Sequence, residues 1–173
     1  MERHFTVTGF VIDGDRTLLH WHRKLGIWLP PGGHIDADED PVQAVLREVV
    51  EETGIVAEIV PHRPAFAFGN VTQLATPFSA IVADVGEGDE MHQHIDLSYI
   101  VRSVPGAPRV EAEADHGFIW VSEAELRRND LLPVAPCGLP GDSSRAAIAV
   151  PEDVREIAMA AMALYRSSLE PDP

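Results

Sequence analysis

Cysteine is nearly missing from this chain, which contains only Cys137 among its 173 residues. An internal disulfide is therefore excluded, and no cysteine–histidine spacing typical of a zinc-binding module occurs. Long hydrophobic runs are missing too, because the apolar stretch over residues 5–12 is interrupted by Thr6, Thr8 and Gly9. That stretch is too short and too polar for a signal peptide or a membrane span. We therefore expect a cytoplasmic protein that has no membrane partner.

Basic residues are also scarce, since 13 lysines and arginines face 28 acidic residues and give a formal net charge of −15. A chain with this balance and no basic stripe is poorly suited to gripping a nucleic-acid backbone, so no nucleic acid polymer is expected as a partner. The same charge repels free phosphates, so a phosphate-bearing substrate is expected to arrive with metal. Apolar residues make up 45% of the chain, and its length predicts a single domain over residues 1–173.

The most informative segment is residues 33–55, which read GHIDADEDPVQAVLREVVEETGI. Its middle has the start and stop signals of a helix. Asp40 suits the N-cap, Pro41 suits the first helical position, and Gly54 is a C-terminal stop. A helix over this segment turns by about 100° per residue, which separates its side chains into two faces.

One face of this predicted helix is apolar and the adjoining face is acidic. The apolar stripe consists of Val42, Val45, Leu46, Val49 and Thr53. The acidic face carries Glu48, Glu51 and Glu52, with Ala44 leaving open space beside them. Each like-charge pair costs roughly 0.2–0.5 kcal/mol, and a divalent cation reverses the sign of that cost. Ligation by carboxylate oxygens alone favours Mg²⁺ or Mn²⁺ over Zn²⁺. The alternative is a solvated acidic face on which Arg47 pairs with Glu51, four residues later.

As a pattern, the segment is G-x5-E-x7-R-E-U-x-E-E-x-G-U, where U is aliphatic, and every fixed position is filled. It resembles the signature of the Nudix (MutT-like) hydrolases, which cleave nucleoside diphosphates linked to another group. The resemblance implies an α/β fold, an α/β/α sandwich around a mixed β-sheet, in which this box forms loop–helix–loop. It also implies Mg²⁺-dependent hydrolysis of a diphosphate bond in a small nucleotide-type substrate. The box covers residues 33–55 only, so it concerns the metal site and not the leaving group.

The resemblance also implies roles for particular residues of the box. Glu48 and Glu52 are the first choices for metal ligands, followed by Glu51, and a backbone carbonyl near Gly33 completes the shell. Arg47 belongs to the catalytic set as the residue that holds Glu51. An intact glutamate set argues against the rival function, a catalytically silent Nudix-fold ligand sensor or scaffold. Diphosphate isomerisation would need a cysteine as acid–base partner, and Cys137 is a weak candidate for it.

Further carboxylates are candidates near the box and late in the chain. Glu39 is predicted either to cap the helix or to bind metal. Family members often add a carboxylate from a loop near a tryptophan that precedes a short helix. Here that tryptophan is Trp120, and Glu113 is the first choice for an extra ligand or for the general base. Either Glu48 or Glu113 would take the proton from water, and a solvated acidic loop is the alternative for Glu113.

Substrate contacts must come from outside the box. His92, His94 and Asp96 form an H-x-H-x-D run, which strand alternation places on one face. We predict that His94 and Asp96 bind the substrate, with metal ligation or plain strand surface as alternatives. Trp28 is a candidate for stacking on a base, but a place in the core is the favoured interpretation. The marks of the ADP-ribose, dinucleoside polyphosphate, NADH and coenzyme A subfamilies are absent, so the substrate stays undefined.

The remaining segments predict a sheet with helices. Strands are expected at residues 5–12, 17–22, 56–60, 66–68, 78–85, 94–104 and 118–121. Residues 13–15 form a hairpin turn, and Ser122 caps a short helix over residues 123–128. Residues 129–150 are rich in proline, glycine and serine and predict a loop. Pro151 opens a last helix over residues 151–168, whose apolar stripe packs on the domain or on the second subunit of a homodimer.

Overall fold

A computed structural model describes residues 1–63, 66–67, 69–112, 117–134 and 147–169. Within these ranges the strands are β1 (Arg3–Asp13), β2 (Arg16–His22), β3 (Ile27–Leu29), β4 (Gly32–His34), β5 (Ala57–Ile59), β6 (Ser79–Val85), β7 (His92–Ser103), β8 (Phe118–Ser122), β9 (Leu132–Pro133) and β10 (Ala147–Ile148). The helices are α1 (Pro41–Thr53), α2 (Glu123–Arg128) and α3 (Glu152–Ser168).

Strand β1 is the centre of the main sheet. It runs parallel to β7, and on its other side it pairs antiparallel with β4. Its end turns through a hairpin into β2, which continues the sheet to β3 and β8. β5 and β6 pair antiparallel with β7. The sheet is therefore mixed, and the predicted α/β class is confirmed.

The two faces of β1 pack against different helices because successive side chains of a strand point to opposite sides. Val7 and Val11 face the core cluster that contains α1, whereas Phe10 and Ile12 face the cluster that contains α2 and α3. Gly9 allows α1 to approach closely, since a Cβ there would lie 2.7 Å from Cγ2 of Val49. The sheet thus lies between α1 on one side and α2 with α3 on the other.

The capping signals of α1 act as predicted. The Asp40 side chain accepts hydrogen bonds from the backbone N–H groups of Val42 and Gln43, at 2.8 and 3.0 Å. The Gln43 side chain in turn accepts from the backbone N–H of Asp40 at 2.9 Å, which completes a capping box. Gly54 ends the helix in the left-handed conformation, with φ of 68°. The start and stop of α1 are therefore confirmed.

The interior face of α1 differs from the prediction at one position. Ala44 is fully buried with Val45 and Val49 against the sheet, so it leaves no open space beside the glutamates. Val42 and Leu46 are only partly buried. The helix is rotated towards its small residue because a short side chain permits close packing against the sheet.

Other corrections concern short elements. Residues 66 and 67 are not in a strand, and Phe68 lies outside the described residues. Strands β3 and β4 are additional to the strands that the sequence predicted, and β9 and β10 lie within the predicted loop over residues 129–150. Pro151 is the N-cap of α3 and not its first helical residue.

Helix α3 packs on the sheet of its own chain. Its buried residues are Val154, Ala158, Ala161, Met162 and Tyr165. They belong to the core cluster that contains Phe10, Trp21 and Trp28. The apolar stripe is therefore occupied within the chain, and the homodimer stays a prediction. No helix in the described ranges is long and apolar enough to cross a membrane.

Candidate active site

The glycines before α1 lie directly against its acidic face. Strand β4 pairs with β1 so that Gly33 stands opposite Val7. The backbone N–H of Gly32 donates to Oε2 of Glu52 at 3.0 Å. A Cβ on Gly33 would lie 2.4 Å from Oε1 of Glu48, and a Cβ on Gly32 would lie 2.3 Å from the carbonyl oxygen of Val7. Any larger residue at these two positions would therefore displace the strand or the carboxylate.

Arg47 ties the acidic face together. Its Nη1 donates to Glu48 Oε1 at 2.8 Å and to Glu51 Oε2 at 3.0 Å. Its Nε and Nη2 donate to the two carboxylate oxygens of Glu39, at 2.7 and 3.0 Å. Nη2 also donates to the backbone carbonyl of His34 at 3.0 Å. One planar guanidinium thus fixes three carboxylates and the end of β4 relative to each other.

Glu39 has a different structural position from the cap that the sequence suggested. Asp40 caps α1, and Glu39 instead forms a two-point contact with Arg47. Hydrogen bonds from Arg47 hold the pKa of Glu39 below its usual range. The charge of this carboxylate is therefore already matched by a guanidinium, which leaves the glutamates of α1 as the better candidates for a metal.

Negative charge is poorly compensated at the other end of the face. Burial raises the pKa of Glu52 to about 7, and the charges of Glu48 and Glu51 add to this effect against the opposing bond from Gly32. Burial likewise raises the pKa of Glu48, and Arg47 opposes it. Desolvated carboxylates that repel each other are stabilised by a divalent cation.

A buried histidine contacts the same group. Nε2 of His20 lies 3.5 Å from Oε2 of Glu52, and the ring is 2% exposed. Nothing in the sequence pattern predicted a role for this residue. No spacing along the chain relates strand β2 to the end of α1, since the contact is created by the sheet.

The donor atoms on this face fit Mg²⁺ or Mn²⁺. They are carboxylate oxygens of Glu48, Glu51 and Glu52, which are the hard ligands these cations prefer. The close approach of Gly32 and Gly33 adds backbone groups beside them. The described geometry thus brings together the residues that the sequence named as ligands, with Arg47 next to them.

A second polar cluster lies on the face of β1, β4 and β7. Nε2 of His92 lies 3.1 Å from Nε2 of His94, as alternation on one strand predicts. Nδ1 of His4 lies 3.2 Å from Nε2 of His34. Burial, followed by the neighbouring imidazoles, lowers the pKa of both His34 and His94. The H-x-H-x-D pattern predicted the two histidines of β7, whereas no pattern in the sequence predicted those of β1 and β4.

Asp96 is satisfied by hydroxyl groups of the same face. Its carboxylate accepts from Oγ1 of Thr6 at 3.0 Å, from Oγ1 of Thr8 at 2.9 Å and from Oγ of Ser98 at 3.0 Å. In the parallel register of β1 and β7, Thr6 stands opposite Asp96 and Thr8 stands opposite Ser98. A substrate contact of Asp96 stays a prediction.

Two other predicted site residues have different outcomes. The structure contradicts base stacking by Trp28, because that side chain is fully buried in the core and packs edge to face with Trp21 at 5.3 Å between ring centroids. Glu113 lies outside the described residues. The chain leading to it is anchored at the end of α1, where the backbone N–H of Val110 donates to the carbonyl of Gly54 at 3.0 Å.

Comparison with known proteins gives a consistent family. The family model described as NUDIX domain matches residues 2–137. A Mycobacterium tuberculosis protein named "Putative 8-oxo-dGTP diphosphatase 3" is 30% identical over 129 residues, which are 70% of this chain. Nudix hydrolase 25 of Arabidopsis thaliana is 40% identical over 80 residues, which are 44% of this chain. The matched segments span about half the length of these curated relatives, 51% of the first and 42% of the second.

A solved structure agrees with the sequence comparison. The crystal structure of a hydrolase of the NUDIX family from Clostridium perfringens superposes with a TM-score of 0.66 at 26% identity. The superposition covers 95% of this chain and 99% of that one. The box over residues 33–55, the mixed sheet and these comparisons agree, and the chain belongs to the Nudix family.

Proposed function

We propose that the chain is a Mg²⁺-dependent pyrophosphohydrolase, with Mn²⁺ as an alternative cation. It would act on a nucleoside diphosphate linked to another moiety, such as a nucleoside triphosphate or a nucleotide sugar. The observation that carries this proposal is the face of α1, where Glu48, Glu51 and Glu52 converge beside Gly32 and Gly33. Nothing in the packing of α1 requires three acidic residues on that face, because the core contacts are made by its apolar residues.

The cation would neutralise phosphate charge and lower the pKa of a bound water. Other residues of the chain hold the carboxylates that would bind this cation in position. Arg47 orients Glu48 and Glu51 through hydrogen bonds at 2.8 and 3.0 Å. The N–H of Gly32 orients Glu52. These contacts fix the carboxylates before a substrate arrives, which reduces the reorganisation needed during reaction.

Hydrolysis breaks one phosphorus–oxygen bond of the anhydride and forms another from water. The water proton passes to a carboxylate, for which Glu48 and Glu113 are the candidates. The product that receives the water oxygen is a phosphate monoester or inorganic phosphate species, according to which anhydride bond is cleaved.

Recognition of the leaving group would fall to residues outside the box. His94 and Asp96 are the candidates, on a polar face that contains the histidine of β4 next to Gly33. The name of the Mycobacterium tuberculosis relative makes an oxidised purine nucleoside triphosphate a first test compound. Nucleotide sugars and dinucleotides complete the set of nucleotide-type substrates.

A substrate screen with phosphate detection tests this function. Nucleoside di- and triphosphates, ADP-ribose, dinucleoside polyphosphates and NADH are incubated with the full chain and Mg²⁺. We expect at least one to be hydrolysed, and Glu52→Gln to reduce kcat by roughly 10²-fold, because a misplaced water or phosphate loses the aligned geometry. Glu58→Gln, which removes an exposed glutamate paired with Arg102, is the matched control and should keep the wild-type rate. Wild-type activity in Glu52→Gln would overturn the assignment.

The same assay distinguishes the rival function. A ligand sensor or scaffold of this fold would bind a nucleotide without turnover. Calorimetric binding of a screened nucleotide together with no product above the Glu52→Gln background would favour the sensor and exclude the hydrolase.

A further inference from the structure

Four histidines from three strands meet on one polar face of the sheet. The parallel register of β1 with β7 places His4 beside His94, and alternation along β7 adds His92 to the same face. Strand β4 pairs with β1 on its other side and brings His34. One ring nitrogen from each of His4, His92 and His94 lies within 4.8 Å of the others. Three ring nitrogens this close can converge on one small ligand after small side-chain movements.

We propose that His4, His92 and His94 form a second metal site, for a transition-metal cation of the Zn²⁺ type, with His34 beside it. Imidazole nitrogen is a borderline ligand that suits Zn²⁺, Co²⁺, Ni²⁺ and Cu²⁺, whereas carboxylate oxygen suits Mg²⁺ and Mn²⁺. The face of α1 offers oxygen and this face offers nitrogen, so the two sites would select different cations.

The distances within the cluster suit such a cation. Zinc binds imidazole nitrogen at about 2.0–2.1 Å, so two nitrogens in a tetrahedral site are separated by roughly 3.3–3.4 Å. Nε2 of His92 and Nε2 of His94 are 3.1 Å apart. A few tenths of an ångström of side-chain movement would therefore open the edge of a tetrahedron. One ring nitrogen of His4 is already within 4.8 Å of those of His92 and His94, and the residue is only partly buried, so a small side-chain movement would bring in the third nitrogen.

Outer contacts fix the protons of two rings. Nδ1 of His92 lies 2.9 Å from the backbone carbonyl of Glu90. A carbonyl can only accept a hydrogen bond, so Nδ1 of His92 carries the proton. Nε2 of His92 therefore presents its lone pair towards His94. Nε2 of His4 lies 3.2 Å from Oε1 of Glu2, so the lone pair of His4 is on Nδ1, on the side of His34. Metal-binding histidines make this type of contact to a carbonyl or carboxylate.

Strand β4 connects this cluster to the box. Its residue His34 contributes a ring to the histidine face, while its backbone carbonyl accepts from Arg47 at 3.0 Å. The residue before it, Gly33, contacts Glu48. A cation on the histidines would add positive charge beside the box in a chain of net charge −15. The site goes beyond the proposed function, since the box would hold its own cation without imidazole.

Cobalt binding to a variant without box carboxylates isolates this site. Glu48→Gln/Glu52→Gln is treated with chelator and titrated with Co²⁺, whose visible absorption reports tetrahedral nitrogen ligation, and with Zn²⁺ in a calorimeter. We expect one equivalent to bind. Adding His92→Gln and His94→Gln should lower the affinity by about 10²-fold or more, since even outer contacts of metal ligands contribute 10–100-fold. The matched control His62→Gln removes a histidine from outside the cluster and should not change the affinity.

A measurement on the unsubstituted chain avoids any effect of the variants on folding. Zinc is added in the presence of saturating Mg²⁺, and the imidazole nitrogen resonances are followed by NMR. We expect the signals of His4, His92 and His94 to shift together at one equivalent, while that of His62 stays in place. No shift of the three signals would overturn the second site and leave the hydrolase proposal untouched. Equal affinity in the variant with the two histidine substitutions and in the His62→Gln control would do the same.

Discussion

Gly33 and Glu48 lie so close that a Cβ on the glycine would come within 2.4 Å of Oε1 of the glutamate. The glutamate side chain can swing away, whereas the strand cannot easily move because it pairs with β1. A side chain added at Gly33 would therefore displace the Glu48 carboxylate more than it would destabilise the fold.

We expect Gly33→Ala to reduce kcat by roughly 10-fold or more, because displacement of a catalytic group by about 1 Å can cost 10²-fold. The melting temperature should stay near that of wild type. Gly69→Ala is the matched control, since a Cβ there meets no atom within 4 Å. Steady-state kinetics with thermal unfolding measure both effects. An unchanged kcat in a folded Gly33→Ala would show that Glu48 needs no fixed position.

Binding of Mg²⁺ should stabilise the folded chain through Glu48 and Glu52. A ligand at a hundred times its Kd adds about 2.7 kcal/mol to the free energy of unfolding, so the melting temperature should rise as Mg²⁺ is added to chelator-treated protein. Glu48→Gln/Glu52→Gln should lose this rise. Glu87→Gln/Asp89→Asn changes the net charge equally at two exposed positions and should keep it. Equal rises of the melting temperature in both variants would indicate that Mg²⁺ only screens the negative charge of the chain and has no site on α1.

Replacing Arg47 by lysine keeps the charge and removes the planar fork. One ammonium group cannot reach Glu39, Glu48, Glu51 and the carbonyl of His34 together. We expect Arg47→Lys to lower kcat by roughly 10-fold or more and the free energy of unfolding by about 1–3 kcal/mol. Arg128→Lys, in an exposed pair with Asp130, is the control and should change neither quantity. A fully active Arg47→Lys would reduce the role of the guanidinium to charge alone.

The pH dependence of stability should report the contact between α2 and α3. Glu123 accepts from Arg127 in its own helix and from Nη1 of Arg166 in α3 at 2.6 Å, and these bonds lower the pKa of Glu123. Between this lowered folded pKa and an unfolded pKa of about 4.3, the unfolded chain binds more protons than the folded chain. The contribution, about 0.5–1 kcal/mol for this partly solvated network, is present above that pH and is lost as pH falls through the lowered folded pKa.

Urea unfolding of wild type and Glu123→Gln between about pH 3 and 6 tests this contribution, since the unfolded pKa of glutamate lies near 4.3. The two stabilities should differ at the upper end and converge at the lower end. Parallel curves would show that the ion pairs do not contribute.

Local signals in the sequence were sufficient for α1 and its acidic face. Asp40, Pro41 and Gly54 act within a few residues of themselves, and Glu48 and Glu52 are neighbours by helical geometry alone. The contact of Arg47 with Glu51 follows from the same spacing. These features need no knowledge of the sheet.

Contacts through the sheet could not be predicted in this way. His20 reaches Glu52, and His4 reaches His34, only because of how β1, β2 and β4 pair. The close approach of α1 to the sheet depends on a glycine in a different element, Gly9, which lies against Val45 and Val49. The burial of Trp28 depends on α3, which lies more than a hundred residues later in the chain.

The parallel pairing of β1 with β7 also determines the order in which the chain can assemble. The hydrogen bond from Arg3 to Gln93 spans 90 residues, so β1 must wait for β7 before it has its long partner. Contacts over such separations slow folding, because the loop must close before the pairing stabilises it. Helix α1 has its own caps and can form earlier. Its glutamates would then be in place before β4, which contains Gly32 and Gly33, is aligned with them. During synthesis, the histidine face would therefore be completed only after residue 94 has left the ribosome.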